Sequence, residues 1–307
     1  MHTVFIKAEL IPMKHQFFNT LVLVFLMGFS AKAQQTPTNL LSLQDSLNKI
    51  SGRVLSAQSD EQKFAQNGLF VKTLVDALKA PNSYTFGFDS LRTVSIVKSS
   101  DRVFKLLTWY VQLIDGTYRF FGAIQMNTSN GALKLIPLID QTENLIDPNI
   151  ITNNKNWFGA KYYEIIPVTS SARLPYYILL GWKGNNERST KRVIEIVSFD
   201  KGEVAFGAPV FDGKDLQGKN RLVFEYNKQN AMTLKSDLKA GMIVFDHLSP
   251  FNTDMEGKFE YYGSDGHING LKIIGGRLKL QENVNLVNDA NGNDEFYIDP
   301  KKKKVEN

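Results

Sequence analysis

Two histidines carry most of the chemistry this chain could offer between positions 34 and 307. His247 ends the run Val244-Phe245-Asp246-His247, and His267 follows the dipeptide Asp265-Gly266. If the strands bearing them pair, Asp246, His247, Asp265 and His267 converge, with Asp254 near by. Two imidazoles beside carboxylates suit acid–base catalysis or a metal site. The alternative is a strand-end and a loop histidine with local hydrogen bonds. Serine chemistry has less support. There is no Gly-x-Ser-x-Gly elbow. Ser-x-x-Lys occurs at Ser46/Lys49, Ser95/Lys98, Ser198/Lys201 and Ser236/Lys239, but only the first lies in a helical pattern, where this spacing shares one face.

Oxygen ligands crowd into Asp289, Asn291, Asn293 and Asp294, a composition that calcium loops use. The glycine falls at the fourth position rather than the sixth, which an Asn-Gly turn explains as well. With no cysteine in the chain, thiolate metal sites and cysteine nucleophiles are excluded. No cofactor is expected.

Aromatic residues offer a second chemistry, that of binding. Tyr162-Tyr163, Tyr176-Tyr177 and Tyr261-Tyr262 are adjacent pairs in strand patterns. Neighbours in a strand face opposite ways, so one of each pair leaves the core unless both faces are covered. Trp109, Trp157, Tyr163, Tyr177, Trp182 and Tyr262 are the candidate platform for a glycan, peptide or protein.

The elements that would position these residues are mostly strands. Leu40, Leu43, Leu47, Ile50 and Val54 recur at helical spacing, and Ser59 with Gln62 opens a second helix with Phe64, Val71, Leu74, Val75 and Leu78 on its apolar face. Pro81 stops it. Beyond it, short Val, Ile, Phe, Tyr and Leu runs alternate with Asp-Gly and Asn-Gly dipeptides at 115, 130, 212, 265, 269 and 291. Strands are expected at 93–98, 132–139, 161–168, 175–183, 191–199, 221–227, 231–236, 242–247, 257–263 and 271–281. Residues 103–126 read as a hairpin about a type I′ turn at Asp115-Gly116. The expected fold is mainly β (α+β): a helical pair over 34–81, then an antiparallel meander over 82–287 forming a sandwich, a barrel-like sheet or a propeller. The asparagine-rich stretch 140–160 reads as a sub-boundary or long loop, and 288–307 as a polar tail.

The amino-terminal region predicts export. Lys14 and His15 precede an apolar run over 17–29, and Ala31-Lys32-Ala33 suits signal-peptide cleavage before Gln34. That run is shorter than the roughly 20 residues that span a bilayer, and no transmembrane segment is expected after cleavage. Met13 is a better start than Met1, and residues 1–12 read as an upstream start-codon choice. Without a cysteine the mature chain is not a lipoprotein. The formal net charge is +5, but Lys301–Lys304 and the leader supply it, so the body is near neutral. A nucleic-acid binder would show a basic face.

The stretches Trp109–Phe121 (WYVQLIDGTYRFF), Leu179–Asn185 (LLGWKGN), Phe206–Phe211 (FGAPVF) and Met242–Pro250 (MIVFDHLSP) together resemble a family of secreted Bacteroidota proteins of uncharacterised function. The resemblance implies a Gram-negative envelope, periplasmic or extracellular, and brings no catalytic residue. The sequence therefore favours a non-catalytic binding or structural module of that envelope. An envelope or extracellular polymer hydrolase using carboxylates with His247 or His267 is the alternative.

Overall fold

A computed structural model describes residues 38–169 and 175–285. The cleavage region and Asp289, Asn291, Asn293 and Asp294 lie outside them. Two helices, α1 (Thr38–Ser56) and α2 (Asp60–Lys79), open the described chain. Ser59 Oγ accepts the Gln62 amide at 3.2 Å and caps α2. The apolar stripe of α2 is rotated from the expected one. Asn67, Phe70, Leu74, Ala77 and Leu78 are buried, while Phe64 and Val71 are exposed. The rotation brings Asn67 Oδ1 to the Trp109 indole N–H at 2.9 Å, satisfying two polar groups that would otherwise be buried alone.

Among the described residues fifteen strands follow, in three sheets. The first holds β1 (Ser95–Lys98), β2 (Phe104–Gln112), β3 (Tyr118–Met126) and β4 (Lys134–Ile139) in sequence order. The central sheet runs β5 (Thr152–Asn153), β9 (Glu203–Phe206), β8 (Ser189–Asp200), β7 (Tyr176–Gly184), β6 (Lys161–Val168), with β11 (Arg221–Asn227) also on β8. The third runs β10 (Phe211–Asp212), β15 (Arg277–Gln281), β14 (Tyr262–Ile274), β13 (Met242–Pro250), β12 (Leu234–Asp237). Pairing is antiparallel except that β10 runs parallel to β15.

Strand alternation sorts the side chains into layers. On β2, Leu107 and Trp109 face the helices with Phe70 and Leu74. Phe104 and Leu106 face the central sheet, meeting Tyr162, Tyr177, Leu179 and Val197. The other face of that sheet, with Tyr176, Ile178, Leu180 and Ile194, packs on Leu234, Ile243, Phe245 and Leu271 of the third. The order is therefore helices, sheet, sheet, sheet. This is a stacked sandwich, and no closed barrel is formed among the described residues.

The turns differ from the sequence expectation in an instructive way. Residues 104–126 do form the hairpin, but its loop has three residues. Leu113 N–H donates to Thr117 O at 2.8 Å and Gly116 N–H to Leu113 O at 3.1 Å, with only Gly116 at positive φ (+80°). Asp115 accepts from Thr117 instead. Two-residue turns with both residues at positive φ occur at Lys201-Gly202 (+48°, +90°) and Gly275-Gly276 (+59°, +73°), joining β8 to β9 and β14 to β15. The expected strand 257–263 contains a 3-10 turn at Phe259–Tyr261. Asp265-Gly266 and Asn269-Gly270 lie within β14, because pairing with β13 absorbs 265–267 as a bulge opposite His247. A Cβ at Gly275 would meet no atom within 4 Å, so Gly275→Ala tests conformation alone. It should lower the unfolding free energy by about 1–2 kcal/mol in a urea titration.

Candidate functional site

An open cleft of about 730 Å³ lies at one end of the central sheet. Its floor is the outer face of β8, β9 and β5. Ser198 and Asp200 stand opposite Ala205 and Glu203 across the Lys201-Gly202 turn, and Asn153 stands opposite Ala205 on the other side. Val197, Val204 and Phe206 go into the core, so strand alternation sends these partners outward. The facing wall comes from 141–156, including Gln141, Asn144, Ile150 and Ile151.

That segment, expected as a boundary or loose loop, is an anchored crossing between the first and central sheets. Asp140 forms a bridge with Trp157 and accepts the Phe120 amide at 2.9 Å. Asn149 Oδ1 accepts the Asn220 amide at 2.7 Å, and Asn220 Nδ2 donates to Asn149 O at 2.7 Å.

Arg221 is the deepest anchor. It pairs in register with Glu195, and both are buried with Nε–Oε1 at 2.7 Å. Residue 195 is where the edge of β8 passes from β11 to β9, since β9 pairs with residues 197–200. The guanidinium fills that junction and gathers carbonyls of the crossing segment and of β9. Its Nη1 donates to Pro148 O and to Ile150 O at 2.9 Å. Its Nη2 reaches Phe206 O and Thr152 Oγ1, each at 3.4 Å. Tyr162 Oη donates to Glu195 Oε2, so both charges are hydrogen-bonded as well as paired.

Lys183 is buried beside this network. Its ammonium donates to Phe158 O at 2.5 Å, Gly159 O at 2.6 Å and Thr142 Oγ1 at 2.7 Å. Burial pushes its pKa down to about 7, against the pull of Asp140 and Glu195. Lys105 is likewise pushed down to about 7, by burial and then by Lys98.

The histidines do assemble, though not as a catalytic pocket. Asp265 lies between them, with Oδ2 at 2.7 Å from His247 Nδ1 and Oδ1 at 3.1 Å from His267 Nδ1. Partial burial raises the Asp265 pKa, but hydrogen bonds from the His267 amide and both imidazoles outweigh it and hold the carboxyl below its usual range. Asp246 is not part of the group, because its carboxylate accepts the Thr233 amide at 2.8 Å. Both imidazoles are about half exposed or more, at 49% and 62%, and line none of the cavities described here. Among the described residues no group of three or more His, Asp or Glu is arranged to hold a metal ion.

The expected aromatic platform is largely interior. Trp109, Trp157 and Tyr177 are buried: helices or sheets cover both faces of the strands that carry Trp109 and Tyr177, and Trp157 packs against Tyr162 from the crossing segment. Tyr176 is buried as well, so that pair sends neither ring outward. Tyr163, the bulged residue of β6, is 37% exposed but ties its hydroxyl to Leu234 O at 2.8 Å. Trp182 lies half-buried against Tyr110 and Tyr118. Tyr262 accepts the Gly257 amide at 3.0 Å. Besides Phe64 and Tyr163, the exposed rings among the described residues are Phe251, Phe259 and Tyr261, the last two on the turn at Phe259–Tyr261.

Compared with known proteins, the chain matches no family model, no curated protein and no solved structure.

Proposed function

We propose that the protein is a non-catalytic binding module of the bacterial envelope, and that the cleft beside the Lys201-Gly202 turn holds its glycan or peptide ligand. The observation that carries this reading is the set of uncommitted groups in the cleft. The side chains of Asp200, Lys201 and Glu203 make no hydrogen bond or ion pair among the described residues. Asp200 and Glu203 stand directly opposite each other, a like-charge juxtaposition that costs stability when nothing lies between. Across from them Ile150 and Ile151 are 45% and 53% exposed, apolar surface of the kind that partners cover. Free polar groups facing apolar ones suit a ligand with both characters, held by several weak contacts. The envelope location rests on the basic, apolar and small-residue order of 13–33.

The test is a glycan and peptide array screened with the wild type and with Ala205→Trp. Residue 205 points outward into the cleft, so the indole fills it without entering the core. The variant should lose binding at least about tenfold and melt within about a degree of the wild type. Undiminished binding would remove the cleft from the account. Turnover of a bound polymer, abolished by Glu203→Gln, would replace a binding module by a hydrolase.

A further inference from the structure

A second cavity, of about 360 Å³, lies in the first sheet's layer between the turn at 82–85 and the loop 127–132. Its lining holds no charged side chain; hydroxyls and amides such as Ser83, Thr85, Asn127 and Thr128 predominate. Two lining residues carry a defect. Gln125 is 3% exposed, and its Oε1 is buried without a hydrogen-bond partner, as is the hydroxyl of Tyr84. A buried polar atom left unpaired costs about 1–3 kcal/mol, and two in the wall of one cavity are uncommon in native proteins.

The rest of the wall is well tied. Gln125 Nε2 donates to Ser83 Oγ at 3.0 Å, and Ser83 Oγ donates to Leu78 O at 2.6 Å. The amide orientation is therefore set, and Oε1 is the free end. Positive charge stands behind the same wall. Lys98, Lys105 and Gln125 form one row across β1, β2 and β3. Lys105 Nζ donates to Ser83 O at 2.6 Å and Lys98 Nζ to Thr85 O at 2.9 Å. Lys105 is fully buried, and the carbonyl of Ser83 is the single hydrogen-bond acceptor of its three N–H groups among the described residues. The other charges near Tyr84 are Asp101 and Arg102. Asp101 is engaged by the Tyr177 hydroxyl at 2.8 Å.

We propose that this cavity is a binding site for a small hydroxylated organic anion, a hydroxy acid or sugar acid, separate from the cleft of the central sheet. The anion would answer the two ammonium groups behind the wall. Both atoms are covered in the free protein, so the ligand would reach them by displacing the side chains over them: its hydroxyl would donate to Gln125 Oε1, and the Tyr84 hydroxyl would donate to the ligand. Burial, then Asp101, raises the Tyr84 pKa against Arg102, which keeps that hydroxyl a donor at neutral pH. Because Lys105 titrates near 7 in the free protein, an anion that favours its charged form draws in a proton. Affinity should then fall as pH rises above 7.

Calorimetric titration of the full chain with D-glucuronate, with L-lactate as the smaller probe and D-glucose as the uncharged control, tests this. One of the two acids should bind one to one with a Kd of about 1 mM or tighter, and glucose at least about tenfold more weakly. Affinity for the acid should fall severalfold between pH 6.5 and 8. The Tyr84 hydroxyl has no partner to lose in the free protein, so Tyr84→Phe should leave the melting temperature unchanged or raised while weakening binding about tenfold. Lys105→Met should weaken binding and remove its pH dependence, and Ala205→Trp should leave it unaltered. Failure of both acids to bind, equal binding of glucose, or wild-type affinity in Tyr84→Phe would each overturn the proposal.

Discussion

Arg221→Met is expected to lower the unfolding free energy by about 3–5 kcal/mol. The substitution keeps the volume but strands Glu195, which is fully buried and faces the guanidinium at 2.7 Å. It also leaves the carbonyls of Pro148, Ile150 and Phe206 without their shared donor. Urea unfolding monitored by tryptophan fluorescence reads the loss. Replacing both partners, with Glu195→Leu added, should recover a substantial part, since the uncompensated charge is then gone. If Arg221→Met alone cost under about 1 kcal/mol, the junction would not depend on its charge. Because the same side chain fixes the 148–150 backbone, amides of that stretch should exchange faster even where the variant remains folded.

Stability should also rise with pH between about 7 and 10, against the common decline in alkali. Lys105 and Lys183 have folded-state pKa values pushed down to about 7, while in the unfolded chain they return to about 10.4. Below pH 7 both states carry the protons, and folding bears the full cost of burying two ammonium groups. Between the two values the unfolded state binds more protons. Each lysine therefore adds up to about 1.4 kcal/mol per pH unit until its unfolded pKa is passed. Above pH 10 the sign reverses. Burial raises Tyr163 and Tyr176 to about 12, so unfolded tyrosines release protons first and stability falls. Melting temperatures from pH 6 to 11 should trace this dome. The double variant Lys105→Met/Lys183→Met should flatten its rising limb and be more stable than the wild type at pH 6. A wild-type limb that is level from 7 to 10 would mean that both lysines stay charged when buried.

The sequence displays the elements better than their stacking. Helical spacing at Leu40, Leu47 and Ile50, and turn dipeptides between apolar runs, carried the helical pair and most strands. Those signals are local: the helical spacing and the apolar runs persist in the structure, whereas the dipeptides at 265 and 269 fall inside β14. Which faces would be covered is a different matter. Tyr176-Tyr177 reads equally as a half-exposed strand and as one between two sheets. Only the partners, Phe104 on one side and Gly276 O on the other, decide. The same limit hid the cleft. Asp200 and Glu203 look like ordinary turn charges until the crossing at 141–156 is laid over them. His247 and His267 were found because histidine is scarce, and the bulge in β14 brings both to Asp265. Nothing in the residue types at 246 and 247 says which turns outward. Lys105 and Lys183 gave no signal, since a lysine in an apolar run reads as a strand end or an exposed face.

Strand β7 is buried along nearly its whole length, and that has a consequence for the chain before it folds. Tyr176-Tyr177-Ile178-Leu179-Leu180 contains no charge and no strand breaker, as burial on both faces requires. The same five residues in an unfolded polypeptide make a segment prone to self-association. Pro175 precedes it, and Lys183 follows it closely. In the unfolded chain Lys183 is a hydrated, charged gatekeeper beside that segment. In the native layer its charge becomes a burden, which three oxygen acceptors and a near-neutral pKa relieve. A residue that looks misplaced in the finished core thus protects the chain during the interval before that core exists.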